Sequence, residues 1–321
     1  MHALNGDYKR GLIYGIFGNI LVGFQPIIAN SRPPSLDAHI FAALTCLIEM
    51  LVFLPLVLFE IYKPFVKKQN ENANQKKLNI VIKNWKKNFW LLIFIGLIFG
   101  LNQLLFFIGY DLAGEINGSL TQKTTVFFGL IFGFLILKEK VNRKQIIFSI
   151  TLFLGLVLAI TQGSFFSFNS NNIAGVLILL LITCLWMFGH TITKPIFNRE
   201  EVTPTQMVFL RNFLSGVILF FTYFLFYPIS NLNLLLVPIN QVFFVSMGLV
   251  YGTGLFCWYK TLSYLDVSKA TILFSLTPIV TAIFAYFLLG KIITIFHLVG
   301  TIIVITSIIF IVMNKEKVKS N

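Results

Sequence analysis

Charge is scarce in this sequence. Only 12% of its 321 residues are charged and 57% are hydrophobic, against about 25% charged in an ordinary soluble domain. Nearly every segment is apolar around its whole circumference, which excludes a soluble packed core. Cysteine is scarce too. Cys46, Cys184 and Cys257 lie inside apolar runs without metal-ligand spacing, which excludes a disulfide framework and a zinc site. No GxSxG, HExxH or Walker loop occurs, and no paired intramembrane aspartates, so no enzyme signature and no cofactor are expected. Acidic residues number 12 against 25 lysines and arginines.

What the chain has instead is long apolar runs, each of a length that reads as a membrane-crossing helix. Ten spans are expected, at about 11–29, 38–62, 88–110, 115–137, 144–161, 172–194, 204–227, 239–262, 267–288 and 293–313. The run from Gly11 to Ala29 is too long for a signal-peptide core and reads as the first span. The connectors leave no room for a separate soluble domain. With the amino terminus in the cytoplasm, every lysine and arginine except Arg32, Lys291, Lys123 and Arg211 falls in a cytoplasmic segment. Basic residues are retained there, so both termini are expected inside. The net charge of +13 then faces anionic lipid headgroups, and a nucleic-acid partner is not needed to explain it. In the cytoplasmic loop Leu78, Val81, Ile82, Trp85 and Phe89 share one helical stripe, the pattern of a helix lying at the lipid interface.

The chain says much the same thing twice. A shift of 152 residues lays Gly96 on Gly248, Gly100 on Gly252, Thr125 on Thr277 and Leu137 on Leu289. The repeats are expected at 1–163 and 164–321. Each spans five helices, an odd number, so the second copy crosses in the opposite sense. The expected fold is therefore an all-α membrane protein of ten transmembrane helices in two inverted five-helix repeats, a construction common in secondary transporters. Gly11/Gly15, Gly96/Gly100, Gly129/Gly133 and Gly248/Gly252 are small-xxx-small pairs that let helices approach closely.

Ionisable groups at membrane depth cost about 2.5–3.5 kcal/mol on insertion scales, which makes them functional candidates. Lys123 lies roughly 12 Å into the fourth span. Either it faces a cavity and attracts an anionic group on a substrate, or it pairs with Glu49 on the second span. Arg211 is expected to snorkel toward the headgroups. His190 and Lys194 share one face of the sixth span, at a cavity mouth or as a proton-coupling site. Asp111 and Glu115 lie in the loop between the third and fourth spans, either as solvated charges or shaping substrate entry. Gln25, Asn102, Gln103, Gln122, Tyr251, Tyr259 and Ser275 complete the candidate substrate-binding set near the midplane. Pro26 and Pro278 free backbone carbonyls that can line a cavity. With Glu49, Arg211, Gly96, Gly100, Gly248 and Gly252 they form the structural or gating set.

Ten spans, two five-helix units and a "helix, Leu-Leu-Gly-Glu-like stop, helix" pattern resemble the drug/metabolite transporter superfamily, EamA type. The resemblance is carried by Phe107 to Ile160 and Trp258 to Val312, with Ser275-Leu276-Thr277-Pro278 and Leu288-Leu289-Gly290. Glu139 stands where that stop places a glutamate, while Lys291 departs from it in the second copy. Trp186 matches the tryptophan of the helix that opens a repeat, and Val22 replaces it in the first. Arg211 matches an arginine of a repeat's second helix, and Glu49 stands in its place in the first copy. The resemblance implies export or exchange of small metabolites through a central cavity. Amino acids are the first substrate class, nucleotide-sugars or sugar phosphates the alternative. Without an ATP site, transport would draw on a gradient or on exchange. A non-transporting scaffold or sensor and an intramembrane enzyme are the rivals from other classes. The expected partners are a small-molecule substrate and the bilayer, as monomer or homodimer, in the plasma membrane.

Overall fold

The computed structural model describes residues 2–62, 71–138, 141–162, 170–264, 274 and 276–313. Ser275 and the Glu139–Lys140 stop lie outside the described residues, as does the side chain of Tyr259. Among the described residues there is no strand. The helices are α1 (His2–Ser31), α2 (Ala38–Tyr62), α3 (Glu71–Lys87), α4 (Phe89–Ala113), α5 (Glu115–Thr121), α6 (Thr125–Leu135), α7 (Arg143–Thr161), α8 (Ser170–Asn198), α9 (Pro204–Phe226), α10 (Pro238–Tyr264), α11 (Thr277–Leu289) and α12 (Ile295–Met313). Among the described residues seven helices are long and apolar enough to cross a membrane, and α11 and α12 are shorter apolar helices. The expected fourth span is divided. Its two helices, α5 and α6, are joined by a 3₁₀ turn, Gln122–Thr124.

Local chemistry explains where the helices begin and end. Asn142 and Gln145 form a reciprocal capping box at the start of α7, with bonds of 2.9 and 3.0 Å. Thr203 caps α9 through Gln206 N, with Pro204 in the first turn. Gly290 ends α11 in the left-handed conformation, φ 63°, and Lys291 N closes the turn on Ala285 O. The first repeat stops the same way. Lys138, the residue 152 places before Gly290, has φ 58°, so a side chain occupies a backbone shape that glycine adopts without strain. The interfacial stripe is interrupted. Ile82 and Phe89 of that stripe are exposed, but Trp85 Nε1 donates to Gln206 Oε1, which pins α3 to the start of α9.

The helices form two compact units, each drawing on both halves of the sequence. One unit comprises residues 1–31, 105–191 and 253–321. In it α7 and α12 pack along their length, α1 lies on α11, and α11 on α5. The other comprises residues 32–104 and 192–252, built on α2 against α9. Here the matched glycines work in parallel. A Cβ at Gly96 of α4 would stand 2.6 Å from Leu214 Cβ of α9, and one at Gly248 of α10 would stand 2.4 Å from Ile48 Cγ2 of α2. Gly100 admits Ser215, whose hydroxyl donates to Gly96 O at 2.7 Å. Backbones that touch through glycine replace the hydrophobic drive that lipid removes.

The turn between α8 and α9 is held by Glu201. Its carboxylate accepts from Lys87 Nζ and Arg199 Nε on one oxygen and from Asn88 Nδ2 and Arg199 Nη2 on the other. Those bonds, Lys87 first, pull its pKa from 4.5 down to about 2. A depressed carboxylate pKa contributes stability that is complete above the ordinary value and lost as pH falls toward the folded one. Glu201→Gln should therefore lower the thermal midpoint of detergent-solubilised protein at pH 7. The gap to wild type should close between pH 4.5 and about 2. Equal midpoints for the two proteins at pH 7 would remove this contribution.

Candidate functional site

Two polar clusters lie within the helices, one in each unit. The first gathers around the break at Gln122–Thr124. Thr121 Oγ1 turns back onto Asn117 O, and Thr124 Oγ1 onto Thr121 O. Hydroxyls competing for carbonyls in this way loosen a helix, and here the ladder tightens to 3₁₀ spacing. The turn delivers Lys123 into the packed interior, where it is 9% exposed and its Nζ donates to Phe274 O at 2.9 Å. Thr277 Oγ1 also reaches Phe274 O, and lies 2.6 Å from Asn19 Oδ1 of α1. The acceptor is thus the backbone just before α11, which Pro278 opens. Proline supplies no N–H, so the carbonyls ahead of it are free to accept from side chains.

Around this core α1 comes very close. Gly18 faces Cys257 and Phe274, and Gly23 faces Val280 while its carbonyl accepts from Thr281 Oγ1. Gln25 and Pro26 are buried on the same helix, and Gln25 Nε2 lies beside Gly254 of α10. Gln122 is buried, and its Nε2 has no hydrogen-bond partner among the described residues. Trp186 of α8 lies against Phe106 of α4, centroids 6.3 Å apart. His190 is half-buried further along α8.

The second cluster is in the other unit. Glu49 on α2 is 0% exposed, and its Oε2 accepts from Asn212 Nδ2 at 2.9 Å. It lies within electrostatic reach of Arg211. Arg211 does not snorkel to the headgroups. It is 5% exposed, and its guanidinium sits 4.3 Å over the ring of Phe99 on α4. The aromatic face and the neighbouring carboxylate replace water for a charge that burial would otherwise strand. Tyr251 and Gly252 of α10 complete this cluster, with Gly252 against Glu49 Cγ. Asn102 and Gln103 on α4 are buried in the same unit, and neither side-chain amide atom of Asn102 has a hydrogen-bond partner among the described residues. Lys123 and Glu49, weighed as a pair from sequence, thus each have a hydrogen-bond partner within their own unit.

Five residues here stand outside the candidate set drawn from sequence. Asn19 is one polar residue among many in the first span, yet it meets Thr277 across 258 positions. Asn212 stands beside the arginine that draws attention first. His297, Gln162 and Asn117 join at the ends of their helices. A buried amide in an apolar helix was the available signal for the first two.

Comparison with known proteins places this geometry in context. The EamA-like transporter family matches residues 9–161 and again 173–313. The chain is 26% identical over 235 residues to a Bacillus subtilis (strain 168) protein described as "Uncharacterized transporter YyaM", covering 70% of this chain and 73% of that one. It is 22% identical to an uncharacterized transporter of Methanothermobacter thermautotrophicus, covering 71% and 66% of the two chains. One solved crystal structure superposes with TM-score 0.64 at 14% identity, over 97% of this chain and 98% of that one. At that identity the likeness concerns the fold alone.

Proposed function

The chain belongs to the EamA-like transporter family, and from that premise we propose that it is a secondary active transporter of small organic metabolites, amino acids first, working by alternating access. Membership makes it an integral, multi-pass membrane transporter. Substrate and mechanism are the proposed part. The observation that carries the proposal is the interrupted fourth span and its junction with the start of α11, in one unit. The break at Gln122–Thr124 and the start of α11 meet through Lys123 Nζ and Phe274 O. Broken helices with unpaired backbone at membrane depth are where such folds bind their ligands. An ammonium resting on a neutral carbonyl makes a weaker bond than the same ammonium on a carboxylate. A substrate carboxylate can therefore displace Phe274 O from Lys123, and the freed carbonyl and Thr277 hydroxyl are left to bind the rest of the ligand. We place both termini in the cytoplasm, on the distribution of its lysines and arginines.

The test is counterflow into proteoliposomes preloaded with unlabelled amino acids. Labelled amino acids should accumulate above protein-free vesicles, and preloading with sugar phosphates should not support that uptake. Exchange of sugar phosphates alone would move the substrate class to phosphorylated anions. No exchange with either set would end the transport reading.

A further inference from the structure

At the end of α1 and the start of α5, the first-described unit holds a cavity of about 360 Å³ that none of the preceding argument uses. Its floor is Glu115, the first residue of α5, placed there by Gly114 at φ 76°. The Glu115 side chain is only 5% exposed. Oε1 accepts from Asn30 Nδ2 at 2.9 Å, and the same amide donates to Tyr110 O at 3.1 Å. Oε2 has no hydrogen-bond donor among the described residues. The nearest cation is Lys291 Nζ at 3.8 Å, beyond hydrogen-bond length. That lysine side chain is 52% exposed. The wall is fixed by a separate network. His297 lies 3.3 Å from Asn117 Oδ1 and 2.8 Å from Gln162 Nε2, and Gln162 in turn accepts from Thr294 Oγ1. Asn30 Oδ1 is buried there without a donor among the described residues.

A carboxylate held this deep, with one oxygen bonded and the other open to a cavity, is short of one donor. The missing partner is compact, cationic and rich in N–H, as a primary ammonium is. Lys291 at the rim offers the opposite charge a few ångströms away. We propose that this cavity is a capture site for small amphoteric amines, with the ligand's ammonium on Glu115 Oε2 and its carboxylate on Lys291 Nζ. The inference rests on the transport reading for its biological use, but its chemistry stands alone. The side chain of Lys291 is the lid that leaves Oε2 when the ammonium arrives. On the proposed orientation the site opens on the face away from the cytoplasm, ahead of Lys123 on the same helical path.

Isothermal titration of purified protein separates the parts. Propylamine carries the ammonium without a carboxylate, so Lys123 does not attract it. It should bind wild type saturably and bind Glu115→Gln about tenfold or more weakly. Alanine, carrying both groups, should lose affinity in Lys291→Gln while propylamine does not. Because Lys291 is exposed, that variant folds even where Glu115→Gln does not. No saturable propylamine binding by wild type, equal binding by Glu115→Gln, or equal alanine binding by Lys291→Gln would overturn the site. Amino-acid counterflow with propylamine affinity unchanged in Glu115→Gln removes the capture site and keeps the transporter. Propylamine bound at Glu115 without any counterflow does the reverse.

Discussion

Replacing Lys123 by methionine is expected to weaken uptake of carboxylate-bearing substrates by roughly 10- to 100-fold, the value of one charge-assisted hydrogen bond. It should leave the folded protein as stable as wild type, or more so. The two expectations come from the same geometry. Lys123 is 9% exposed and its described hydrogen bond is to a neutral carbonyl, Phe274 O. Holding an ammonium there costs more than one such bond returns. Methionine fills a similar volume with no charge to desolvate, so the penalty disappears with the lysine. A residue kept for packing behaves the opposite way: its removal lowers the thermal midpoint first and activity only through misfolding. Initial rates of counterflow, measured beside the thermal midpoint of the same preparation, decide between the two. Unchanged uptake of anionic and amphoteric substrates in Lys123→Met would remove Lys123 from the binding site.

The sequence carried much of this arrangement, unevenly. The repeated glycines were legible because packing in lipid leaves a residue-type signature. Gly96 and Gly248 stand at matched positions, and each receives a large side chain where a Cβ would be. The place of the repeat's stop was legible as well, but not that Lys138 adopts the left-handed turn that Gly290 adopts in the second copy, a shape lysine does not announce. Lys123 and Glu49 stood out because charge inside a membrane is expensive whatever its partner. Their partners were less legible. Phe274 contributes only a backbone carbonyl, and every residue has one, so nothing in a phenylalanine's identity announces an acceptor for a lysine 151 positions away. Asn212 was hidden by its neighbour Arg211, and Arg211 itself exchanges headgroups for the face of Phe99, a contact that 36 phenylalanines make impossible to single out from composition. The break in the fourth span was visible only as a run of polar residues. That these hydroxyls turn inward on their own carbonyls is a local geometric outcome, decided by the fold around them.

Close approach of helices gives the second large effect. Gly175→Ala is expected to destabilise the protein by about 3 kcal/mol or prevent its recovery in folded form, at the upper end of overpacking changes. Gly129→Ala, a change of the same size, should cost less than about 1 kcal/mol. A Cβ at Gly175 of α8 would lie 2.4 Å from Ala113 N and 2.8 Å from Gly109 O, both backbone atoms of α4. Neither can rotate aside, so α8 would have to withdraw from α4. That would open the contact where Leu179 sits over Gly109. In lipid no hydrophobic gain draws the helices together again. At Gly129 the nearest atom is the terminal methyl of Met187, at 3.1 Å, and an unbranched thioether moves by small torsions at little cost. Monodisperse yield and thermal midpoint in one detergent, read for both variants, measure the difference. Equal midpoints for Gly175→Ala and Gly129→Ala would mean that α8 makes room for a methyl group against the α4 backbone without cost, and that glycine there is a matter of composition rather than of packing.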